Sequence, residues 1–271
     1  MKTRVLRFCP EFRAEFPNFV NAVSRVHLAF QRALRPQMSS WTLVDHKIVL
    51  LSCAAYEDFK ELVVLCNMGY GLGSQKQLRC LYEKVLSAAY LSVEPDKVNR
   101  FHKYYAVHHH KVREAALKIY NFDDLEKAGY NADMEELYKE VKDEFIANPT
   151  GTGRKRVSQS WGPPVEQMAG RVGGVLEGAY LYWYLMPTIL IHPSQFGLLS
   201  YCDRETVKDP SGGLLFDPEC QEGLLAFSLD CGHRLAVHLL TMLDSHFNLK
   251  LGPILETCTN DLKTCWDKRH D

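Results

Sequence analysis

The residues best placed for chemistry are Arg79 and Glu83. They stand one helical turn apart in GYGLGSQKQLRCLYEKVLSAAYL, the run from Gly69 to Leu91. Leu78, Leu81, Tyr82, Val85, Leu86 and Ala89 surround them. An exposed ion pair at this spacing contributes only about 0.3–0.5 kcal/mol. A pair on a greasy surface must find further hydrogen bonds, because desolvating charge is costly. Two roles follow. The pair is a polar lock between helices, or it lines a pocket where Arg79 grips an anionic group with two parallel N–H donors. In the second role Glu83 orients the guanidinium or a catalytic imidazole.

His192, in ILIHPSQFG, supplies that imidazole. Pro193 ends the helix there, and the negative end of a helix dipole favours the protonated ring. A satisfied core histidine is the plain reading. As a chemical group His192 is the best general acid or base in the chain. Tyr180 and Tyr184, one turn apart in YLYWYL, would give stacking walls or phenolic donors. Arg154, Lys155 and Arg156 sit in NPTGTGRKRVSQSWGP, a surface loop by composition, and would touch phosphate.

Other motifs fail on spacing. GYGLG before a helix imitates a dinucleotide turn, but the third glycine would fall at Ser74, and no GK[ST] follows. His102 and His108 to His110 share one helix, yet three consecutive residues point three ways. Neither HExxH nor a Glu with a His three residues later is present, so no metal centre and no cofactor are expected. Ribonucleases of the metal-independent HEPN type separate Arg and His by four to six residues. Three residues lie between Arg234 and His238, and seven between Arg100 and His108. GxSxG, SxxK and a recognisable Cys-His signature are all missing, so the sequence makes no case for a hydrolase nucleophile.

Composition bounds the rest. A net charge of -1 gives no global field for nucleic acid or an anionic membrane. Nine cysteines, an odd number with no CxxC, fit free buried thiols in a reducing cytosol. The charged N-terminus lacks the apolar stretch of a signal peptide. Residues 178–202 hold no charge, but Pro187 and His192–Gln195 interrupt them. A buried core helix is expected there rather than a membrane span.

Hydrophobic periodicity predicts helices over 17–35, 41–67, 74–93, 95–120, 132–147, 174–192, 218–247 and 252–267, with another after Pro163-Pro164. A short acidic helix is expected near 122–129, an irregular loop over 148–163 and a second loop over 197–217. No strand pattern of useful length is present. The class is all-α: a single domain over 1–271, an antiparallel bundle with peripheral helices. The helices over 41–67, 74–93 and 95–120 pack with the tyrosine-rich helix, and those over 218–267 dock on them.

Three segments in this order resemble a bacterial family, the domain of unknown function 5677. They are GLGSQKQLRCLYEKVLSAAYL, WGPPVEQMAGRVG and YLYWYLMPTILIHPS. Arg79, Glu83, Trp161, Tyr180, Tyr184 and His192 match its pattern, over roughly residues 45 to 200. The resemblance implies an all-helical fold and no settled activity, and it adds Trp161 to the candidate ligand-binding residues. The expected partner is a small anionic or nucleotide-like ligand, or RNA, in bacterial stress or defence. A hydrolase and a helical scaffold are the competing readings, and a homo-oligomer is compatible with the sequence.

Overall fold

The computed structural model describes residues 6–36, 38–120, 124, 133–147, 156–158, 160–194, 197–198, 202 and 222–267. Asp124 apart, the acidic helix expected near 122–129 lies outside them, as does most of the loop expected over 197–217. The helices, in chain order, are α1 (Pro10–Glu15), α2 (Pro17–Ala33), α3 (Leu43–Asn67), α4 (Gly71–Val93), α5 (Val98–Ala116), α6 (Asp133–Val141), α7 (Val165–Val172), α8 (Gly174–Tyr180), α9 (Met186–Ile191), α10 (Glu222–Phe247) and α11 (Gly252–Leu262). The chain divides into two compact units, Met1–Val93 with Ala169–Asp271, and Glu94–Met168. The class is all-α. Among the described residues every cysteine is free, and no helix is long and apolar enough to cross a membrane.

The first unit is built on a hairpin of α3 and α4. A capping box opens α3: Asp45 N donates to Thr42 Oγ1 at 3.1 Å, and Thr42 N donates to the Asp45 carboxylate at 2.8 Å. The helix ends at Gly69, whose φ is +80°. Gly69 N–H bonds the Cys66 carbonyl and Tyr70 N–H the Leu65 carbonyl. This closure needs a left-handed residue, which glycine supplies without strain. The chain turns straight back into α4.

α10 packs against both arms of the hairpin. The sequence pattern grouped α5 with the hairpin and left α10 peripheral; α5 instead belongs to the second unit. The physical reason is area. Leu229, Leu235, Ala236, Leu239, Leu240 and Leu243 of α10 are fully buried, whereas α5 buries only a narrow stripe. Gly232 permits the closest approach, since a Cβ there would lie 3.1 Å from Leu62 Cδ1.

α10 runs parallel to α4, with polar contacts at both ends. At the first end, Gln75 Nε2 donates to Ser228 Oγ at 2.6 Å, and the Ser228 and Ser74 hydroxyls are 2.6 Å apart. Ser74 Oγ also reaches the Gly71 carbonyl at 2.6 Å. One hydrogen per hydroxyl makes this a chain running from amide to Ser228 to Ser74 to carbonyl. All three side chains are fully buried. Ser228→Ala would strand the Gln75 amide, whose Oε1 already has no partner among the described residues. We expect a loss of about 1–3 kcal/mol, read as a lower urea midpoint at unchanged m.

The tyrosine-rich helix is continuous but not uniform. α8 passes through a π-helical turn, Leu181–Leu185, into α9. Pro187 explains the widening. Its ring would press on the carbonyl four residues back and it has no N–H to give, and a wide turn relieves both conflicts. The expectation of a buried core helix is corrected here. Only Leu176, Trp183 and Pro187 of this helix are buried, while Val175, Leu181 and Tyr182 are exposed. One side packs on α4 and the other remains wet.

In the second unit, Tyr104, Ala106 and Val107 of α5 pack with Val141 and Phe145. Of the irregular segment expected over 148–163, residues 156–158 and 160–163 are described, and 156–157 form a short strand. Ile146–Ala147 pair antiparallel with Arg156–Val157, and Ser158 N–H extends the ladder to the Phe145 carbonyl at 2.7 Å. Two-residue strands are too short to show alternation in sequence.

Candidate functional site

α4 turns Arg79 and Glu83 toward the tyrosine-rich helix. Arg79 Nη2 donates to Glu83 Oε1 at 2.9 Å, and Arg79 Nε donates to Thr188 Oγ1 at 2.9 Å. The Thr188 hydroxyl donates back to the Tyr184 carbonyl at 2.6 Å, a bond open to mid-helix threonines. The guanidinium carbon sits 5.3 Å from the centre of the Tyr184 ring, within cation–π range. Tyr184 stacks on Tyr180 at 5.6 Å and leans on Tyr82 at 5.8 Å. Tyr82, fully buried, donates its hydroxyl to the Leu176 carbonyl at 2.6 Å.

The pair is half-wet: the Arg79 side chain is 26% exposed and that of Glu83 37%. Burial works against the charge on Arg79, but the Tyr184 phenol and the Glu83 carboxylate outweigh it and hold the guanidinium above its ordinary range. A guanidinium carries five N–H donors in a fixed fork. Here Nε and one hydrogen of Nη2 are used, and the Tyr184 phenol gives a further side-chain hydrogen bond. The head group is thus fixed on three sides with donors to spare.

The structure brings Arg79, Glu83, Tyr180 and Tyr184 together and adds Thr188 and Tyr82. His192 caps α9, its N–H on the Thr188 carbonyl at 3.3 Å. Its ring is exposed and makes no hydrogen bond among the described residues. Thr188, one turn earlier, meets Arg79 instead. Trp161 lies in the second unit, where its ring meets Phe101 edge-on at 4.8 Å and its carbonyl accepts from Arg100 Nε at 2.8 Å. The backbone of Arg156 lies in the short strand pair, while Arg154 and Lys155 fall outside the described residues.

Thr188 was legible only in part. It continues the four-residue step of Tyr180 and Tyr184, but a threonine in an apolar helix gives no chemical signal.

Arg234, His233 and His110 are tied into structure. Arg234 bonds Asp230 at 2.6 Å and Asp267 at 3.3 Å, so its charge is met within α10 and the C-terminal segment. His233, beside it, is fully buried. His110 stacks on Tyr138 at 3.6 Å and lies 3.1 Å from Glu135. Among the described residues no three His, Cys, Asp or Glu side chains gather as a metal site. A separate groove of about 550 Å³ runs between α2 and α3, walled by Phe30, Leu34, Leu50 and Tyr56.

One family model matches the chain, over residues 45–209: a family of unknown function, DUF5677. No curated protein and no solved structure matches.

Proposed function

The chain belongs to this family of unknown function, and on that premise we propose that it binds a small anionic, nucleotide-like ligand at Arg79. One observation carries the reading. The Arg79 guanidinium is clamped by Glu83, Thr188 and Tyr184, yet these contacts fill at most three of its five N–H donors. A clamp that served packing alone would have no use for the spare donors. The anionic group takes the N–H donors that remain. Tyr180, stacked on Tyr184, offers a ring to a flat moiety.

Thermal shift in a panel of inorganic phosphate, AMP, ADP and ATP tests this. At 100 times Kd a ligand stabilises by about 2.7 kcal/mol, a shift of several degrees in a chain this size. We expect the rise with a nucleotide to vanish in Arg79→Ala and to need at least tenfold more ligand in Arg79→Lys, which keeps the charge but not the fork. If no member of the panel moves the midpoint, while Arg79→Ala and Glu83→Ala each lower it, the pair is a structural lock and this reading falls.

A further inference from the structure

At the far end of α4 and α10 a second polar group is assembled from three distant parts of the chain. Ser92 Oγ lies 3.1 Å from His246 Nδ1, and His246 Nε2 lies 2.9 Å from Asp45 Oδ1. The topology dictates the meeting: α3 begins here, while its antiparallel partner α4 and the parallel helix α10 both end here. The carboxylate can only accept, so the ring proton sits on Nε2 and Nδ1 turns its lone pair to the serine. The Asp45 carboxyl is favoured as the anion. Burial pushes its pKa up, but the Thr42 hydroxyl and amide and the His246 ring more than reverse this and hold it below the usual range.

We infer that Ser92, His246 and Asp45 form an acyl-transfer site that hydrolyses small uncharged carboxylic esters. A clasp between helix ends would need only the Asp45–His246 pair. The third contact puts a nucleophile, a base and a group that orients the base in line, the arrangement serine hydrolases use, with the two ring nitrogens exchanged. The group is not sealed. The His246 side chain is 20% exposed and Ser92 is half-buried. Val93 and Trp41 are exposed beside it, and Trp41 packs on Phe247, which meets the His246 ring edge-on at 4.6 Å. These side chains give an apolar wall for an uncharged acyl group.

In the first step Ser92 Oγ bonds to the carbonyl carbon, and its proton passes to His246 Nδ1. The carbonyl electron pair moves to oxygen. On collapse the bond to the leaving alcohol breaks, and Nδ1 returns the proton to that oxygen. Water repeats the sequence on the acyl-serine, releasing a carboxylic acid and restoring Ser92. Asp45 stays ionised and acts as a positioning residue, holding the Nε2 proton.

The test begins with the unaltered protein, treated with a fluorophosphonate and digested for mass spectrometry. An adduct on the peptide carrying Ser92 is expected, with labelling at least tenfold slower in His246→Gln and absent in Ser92→Ala. With p-nitrophenyl acetate, Asp45→Asn should lower kcat at least tenfold while KM stays within twofold, a split that loss of the capping box alone would not give. No adduct on Ser92 under conditions that label a known serine hydrolase would overturn the proposal. So would equal labelling rates in His246→Gln and the unaltered protein.

Discussion

Tyr82→Ala should lower the melting temperature by on the order of 10 °C. Tyr82 is fully buried in α4, and its removal empties a ring-sized space between α4 and the tyrosine-rich helix. Aromatic-to-alanine changes in cores cost about 3–5 kcal/mol, partly in transfer energy and partly in the cavity left behind. Tyr82→Phe keeps the ring and loses only the bond to the Leu176 carbonyl, about 1 kcal/mol. The contrast between the two variants separates packing from hydrogen bonding. The alanine variant should also weaken nucleotide binding, because Tyr184 leans on Tyr82 and carries Arg79 on its face. Equal melting temperatures for the two variants would show that the ring is not what joins these helices.

The second large effect depends on pH and rests on His233. Its ring is fully buried on α10, beside Phe19 and Trp266. Trp266 Nε1–H donates to His233 Nδ1 at 3.2 Å, so the ring proton belongs on Nε2, which has no partner among the described residues. Burial lowers the pKa from 6.5 to about 4; the Asp261 carboxylate pulls the other way, and Arg234 and Arg25 reinforce the fall. The unfolded chain therefore takes up this proton more readily than the folded one. Stability from the neutral ring is complete above about pH 6.5. It is lost as the pH falls from there toward 4, below which both states are protonated. Between pH 7 and pH 5 the loss is about 2 kcal/mol. His233→Gln keeps an acceptor for the Trp266 N–H and removes the titration. Urea unfolding at the two pH values should show the variant losing about 2 kcal/mol less than the unaltered protein. His27, His108 and His238, also lowered by burial, titrate in both chains and cancel in the comparison. Parallel pH profiles would mean that the ring is protonated equally in both states.

The helix ends were legible because proline and glycine write them plainly. Pro17 and Gly69 fall where chain direction must change, and the apolar steps between them fix the burial of α2 and α3. Arg79 and Glu83 were legible for the same kind of reason, since the contact between them is local and set by helix geometry alone. What could not be read is whatever depends on two helices meeting. Thr188 acquires a role only when α9 lies against α4. Asp45, Ser92 and His246 share no motif, being separated by most of the chain. The half-exposed state of the tyrosine-rich helix was hidden as well, because a run without charge looks the same whether one side or both are covered.

The parallel seam between α4 and α10 has a consequence for how this chain can vary. Ser74 and Ser92 stand about five turns apart on one helix, and Ser228 and His246 stand about five turns apart on the other. The two helices act as matched rulers read at both tips. Lengthening either one by a single residue between its marks would swing one tip through about 100°, so one junction or the other must come undone. Gains and losses of residues should therefore be tolerated in the connecting loops and refused along this seam.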